Sequence, residues 1–121
     1  MKLKIAALAS LLLIAAPVLA HDVKGRNGGR VVDAGPHHVE LVVKDKVVIV
    51  YVSDAADKPV TITGFKGLAI LTVSGKALRI VLEPQESTRL SGTSPVTLPA
   101  NAKGVVQLTG PDGKTAQGRF Q

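Results

Sequence analysis

The feature that most constrains this chain is its cadence. After residue 20, short alternating apolar runs are each closed by turn residues, and no stretch carries a helical period. His38 to Lys44 alternates cleanly: Val39, Leu41 and Val43 share one face, and His38, Glu40, Val42 and Lys44 share the other. Lys46 to Ser53 contains VVIVYV, apolar on both faces, which predicts a central strand. Val60 to Phe65 is β-branched and alternating and reads as a strand. Ala69 to Val73 and Lys76 to Leu82 flank Ser74-Gly75, a two-residue connection of the hairpin kind, and Glu83-Pro84 is expected to end that hairpin. A short strand is expected around Thr88 to Ser91, then a long loop over residues 92–103 carrying Pro95 and Pro99. Gly104 to Thr109 and Thr115 to Phe120 predict a last hairpin about Pro111-Asp112-Gly113. Seven or eight short strands at this spacing predict an all-β fold, a small antiparallel sandwich or barrel.

The first twenty residues stand outside that pattern. Lys2 and Lys4 precede an uncharged apolar run from Ile5 to Ala16, and Val18-Leu19-Ala20 supplies small residues for cleavage. This is the layout of a secretory signal peptide. The run falls short of the ~20 apolar residues of a spanning helix, and Pro17 interrupts it, so no membrane span is expected after cleavage. Cleavage after Ala20 leaves residues 21–29 as a flexible, glycine-rich N-terminal arm and residues 30–121 as one β-domain. Export without cysteine fits a periplasm. The core must then be aliphatic, because Tyr51, Phe65 and Phe120 are the only aromatic residues.

Charge excludes some functions. The net charge of +6 falls to +4 when Lys2 and Lys4 leave. The remaining cations are spread singly along the chain, with a small Lys24, Arg26, Arg30 group and no interleaved aromatics, so no nucleic-acid partner is expected. Nor is an enzyme: there is no Cys nucleophile and no GxSxG elbow, and Asp54 and Asp57 read as turn residues.

The candidate chemistry lies in the histidines, all three of which fall between residues 21 and 38. Cleavage after Ala20 would make His21 the terminus, where its amine and its ring can chelate one ion together. Amine and imidazole nitrogens suit Cu(II) best, and Ni(II) or Zn(II) less. His37 or His38 would supply a further nitrogen. His38 and Glu40 form an HxE pair on one strand face, about 7 Å apart along the strand. With no Cys, and no Met beyond Met1, any site is built of nitrogen and oxygen. The expected ligands are therefore His21, His37, His38 and Glu40. The other reading is a metal-free interaction module that docks on another envelope protein.

Gly28-Gly29-Arg30-Val31-Val32, Gly35 and His38-Val39-Glu40-Leu41, followed by Ser53-Asp54 and Asp57-Lys58-Pro59-Val60, resemble the N-terminal β-module of periplasmic adaptor subunits of heavy-metal efflux pumps. The resemblance spans Asn27 to Val60 and implies a β-module working near metal-handling systems of the periplasm. Where the family pattern has histidine before Gly-Gly, this chain has Asn27, which moves any metal role to His21, His37 and His38. The family's long helical hairpin has no counterpart here.

Overall fold

The computed structural model describes residues 23–121. The expected signal peptide and His21 lie outside the described residues. The rest is all-β, as its cadence predicts, with nine antiparallel strands among the described residues. These are β1 (Val23–Lys24), β2 (Arg30–Ala34), β3 (His37–Lys44), β4 (Val47–Ser53), β5 (Lys66–Val73), β6 (Lys76–Gln85), β7 (Arg89–Thr93), β8 (Lys103–Thr109) and β9 (Thr115–Phe120).

The order across the sheet is β1-β2-β3-β4-β7-β6-β5-β8-β9, and the sheet curls into a half-barrel. Its ends meet through side chains: a Cβ on Gly118 of β9 would press on Val32 of β2, and one on Gly35 would press on Ala116. β6 joins the two halves. Residues 76–82 pair with β5, and Glu83 to Gln85 pair with β7. Glu83-Pro84 therefore does not end the strand, as the sequence suggested, but marks the point where it changes partner. Proline, lacking an N–H, suits a place where the ladder is handed over.

The inward positions fill the curl with aliphatic side chains. Val39, Leu41, Val48, Val50, Leu71, Leu90 and Val106 are all buried, and Phe120 plugs the seam between the sheet's ends. β4 has partners on both edges, β3 and β7, as its apolar faces predict. The Ser74-Gly75 turn takes positive φ at both residues, which matches the twist of the strands it joins.

Two expectations fail locally. Val60 to Phe65 is not a strand. Its Ile62 and Phe65 are buried, but its backbone is held by single bonds, Val60 N–H to the Val52 carbonyl, Ile62 N–H to the Ser87 carbonyl and Phe65 N–H to the Ile62 carbonyl. The alternation serves a segment tucked against the core, without a ladder. Within the expected arm, Val23 and Lys24 pair with Val31 and Arg30 as β1, ahead of a tight turn over residues 25–29.

Candidate functional site

Adjacent residues of a strand face opposite ways, and β3 separates its two histidines as expected. His37 points with Val39 and Leu41 toward the core side, where its ring meets Phe65 edge-on at 5.6 Å between centroids. His38 points outward. Its neighbours across the sheet are Asp33 on β2 and Ser53 on β4.

Two carboxylates flank the His38 ring. Asp57 Oδ1 lies 2.7 Å from Nδ1, and Asp33 Oδ1 lies 3.3 Å from Nε2. The ring is 28% exposed, while Asp33 and Asp57 are 83% and 69% exposed, so the group sits at the surface. Asp57 is placed by its own loop. Asp54 accepts from the backbone N–H of Ala56 at 2.8 Å and of Lys58 at 3.0 Å, and Asp57 takes a left-handed φ of 63°. The Lys58 bond is the main reason that the Asp54 carboxyl ionises below its ordinary value of 3.8; slight burial opposes the shift, and the Ala56 bond and the charges of Lys58 and His38 add to it. The sequence pattern of Asp54 and Asp57 is that of turn residues. They are, but the turn also delivers Asp57 to His38, and nothing in the linear pattern tied residue 57 to residue 38.

Glu40 does other work. It is 6% exposed, and its carboxylate accepts from the backbone N–H of Asn27 at 2.9 Å and of Gly29 at 2.8 Å, and from Asn27 Nδ2 at 3.0 Å. A Cβ at Gly25 would overlap that carboxylate, so a side chain there would push Glu40 off its partners. Glu40 thus anchors the turn over residues 25–29, and Asn27-Gly28-Gly29 is its receptor. The structure brings neither Glu40 nor His37 to the His38 ring nitrogens.

Beside His38 the outward face carries a cleft of about 390 Å³. Val31, Glu40, Tyr51 and Ser53 line it together with the 25–27 turn and the loop holding Asp57 and Pro59. Arg26 Nη2 reaches the Asp57 carbonyl at 3.4 Å across it. Nearby, the Tyr51 hydroxyl and then the Glu86 carboxylate hold the Arg89 guanidinium above its usual range.

Among the described residues no three His, Asp or Glu side chains converge to hold a metal ion by themselves. Asp33 and Asp57 address different ring nitrogens, so an ion on either nitrogen meets one of them. No described helix is long and apolar enough to cross a membrane. Comparisons with protein-family models, curated proteins and solved structures find no match.

Proposed function

We propose that this protein binds one divalent metal ion, Cu(II) first, at His38 and the mature terminus at His21, and holds or passes on the ion without catalysing a reaction. The observation that carries the reading is the pair of carboxylates on the His38 ring. With an ion bound, Asp57, 2.7 Å from Nδ1, would accept that nitrogen's proton and set the tautomer, and Nε2 would give its lone pair to the ion beside Asp33. A carboxylate behind a ligating imidazole in this way orients it and raises its basicity. Asp33, beside Nε2, offers an oxygen.

One ring nitrogen and one carboxylate make half a site. The amine and ring of His21 would complete it, and the direction of β1 favours this. Val23 pairs with Val31 and Lys24 with Arg30, so Val23 is the end of β1 nearer Asp33 and His38. The two residue steps from Val23 to His21 span at most about 7 Å. Of the ligands expected from sequence, this reading keeps His21 and His38, sets aside His37 and Glu40, and adds Asp33. The likeness of residues 27–60 to efflux-pump adaptor modules supports a place among periplasmic metal-handling proteins.

The test is a Cu(II) competition titration on protein exported and processed in a periplasm, with its terminus confirmed by mass. One-to-one binding is expected. It should weaken at least about tenfold in His38→Ala and in a cytosolic form carrying methionine ahead of His21, and persist in His37→Ala. Weak binding that is equal in all four proteins refutes the proposal.

The cleft beside His38 favours a second reading, a metal-free module that docks on another envelope protein. Val23 at its rim is 61% exposed. Capture of a periplasmic partner by wild-type protein, lost on Val23→Asp and indifferent to copper, would support docking over metal binding.

A further inference from the structure

Charge is divided unequally between the two halves of the sheet. Residues 66–82 and 103–120, which form β5, most of β6, β8 and β9 with their turns, hold six basic residues and one acidic residue. The other described residues hold seven of each. The whole net charge of the described protein therefore lies on one half.

The strands turn it to one side. Ala69, Leu71, Ile80, Leu82, Val106, Leu108 and Phe120 point inward and are buried. Alternation then sends Leu68, Ile70, Arg79, Val81, Val105 and Arg119 outward. Register sets them in rows. Arg79 pairs with Ile70, Ile70 with Val105, and Val105 with Arg119, so two arginines bracket two aliphatic side chains across four strands. The arginine backbones stand roughly 14 Å apart by the usual strand spacing. Val81 pairs with Leu68 in the next row and is 66% exposed. Lys66 and Lys103 extend the basic border, and among the described residues no second layer covers this face.

We infer that the outer face of β6-β5-β8-β9 docks on the surface of an anionic phospholipid bilayer. Arg79 and Arg119 would meet headgroup phosphates, and Ile70, Val105, Leu68 and Val81 would rest on the boundary beneath them. Clustered cations are drawn to anionic lipid, and aliphatic area adds to the hold. A nucleic acid would want stacking aromatics, and the face has none. A protein partner would want anchor side chains and pockets, whereas this row is shallow and aliphatic. The inference is independent of the metal site, which lies on the other half of the sheet.

Co-sedimentation of the processed protein with vesicles tests it. Vesicles of one part phosphatidylglycerol to three parts phosphatidylcholine should bind it, and phosphatidylcholine alone should not. About 0.5 M NaCl, which shortens the screening length to a few ångströms, should release it. The double change Arg79→Glu with Arg119→Glu should cut binding at least about tenfold. Lys44→Glu with Lys46→Glu alters net charge equally at exposed positions outside the face and should retain most of it. Circular dichroism checks each fold, and Arg79→Gln with Arg119→Gln serves if the reversal does not fold. Absence of binding to the anionic vesicles overturns the inference and leaves an acidic protein as the occupant to seek. Equal losses in both charge-reversed proteins overturn it as well, since attraction would then follow net charge alone. Copper titration of the same variants should be unchanged, which separates this outcome from that of the metal proposal.

Discussion

Replacing Glu40 separates an anchor from a ligand. Its carboxylate accepts three hydrogen bonds from Asn27 and Gly29 at 2.8–3.0 Å while 6% exposed. Bonds to a charged acceptor contribute about 1.5–3 kcal/mol each. In Glu40→Ala all three are lost. Water reaches part of the freed turn, so the low end applies and the cost is roughly 4–5 kcal/mol. Glu40→Gln keeps the shape. Its carbonyl can face both backbone amides, and the Asn27 amide can rotate to offer its oxygen to the new NH2. What goes is the charge, about half the strength of each bond, or roughly 2 kcal/mol. For a domain near a hundred residues, each kcal/mol shifts Tm by about 4–8 °C. Urea denaturation followed by circular dichroism reads both variants, and hydrogen exchange at Asn27 and Gly29 should accelerate before global unfolding does. If both variants stay within about 0.5 kcal/mol of the parent, Glu40 does not hold the turn. A loss of copper affinity without loss of stability would return it to the ligand set.

Two further outcomes follow from the same reasoning. Phe120→Ala empties a buried site beneath the Arg30 guanidinium, which lies 5.5 Å from the ring centroid, and should cost about 3–5 kcal/mol by thermal denaturation. Asp54 has its folded pKa lowered below 3.8, chiefly by the Lys58 amide. Its contribution is therefore fully present above that value and is lost as pH falls through the folded pKa. Asp54→Asn should flatten stability against pH on the acid side, and unchanged acid sensitivity would show that this carboxylate is not a source of it.

Much of the architecture was legible because a half-buried strand writes its period into the chain. β3, β4 and the β8–β9 hairpin follow directly from alternation and turn residues, and opposite faces for His37 and His38 follow from adjacency alone. Alternation reports burial, however, and burial does not require a ladder. Val60 to Phe65 has the pattern of a strand because Ile62 and Phe65 must be covered, yet it covers them as a tucked segment. Val23-Lys24 shows the converse, since two residues are too few for any period to register.

The candidate site was legible by residue type and not by partnership. Histidines at 37 and 38 with a carboxylate at 40 suggested an ion shared along one strand. The fold instead sends Glu40 to the turn of Asn27 and Gly29 and brings Asp33 and Asp57, one from the neighbouring strand and one from a loop nineteen residues away, to His38. The sequence by itself determined that the described domain is all-β, that its core is aliphatic and that His37 and His38 take opposite faces, because these depend on local period and composition. Only tertiary structure decided which carboxylate meets which imidazole, and that the excess positive charge gathers on one face. Those outcomes depend on register between strands distant in the chain, and no local pattern encodes it.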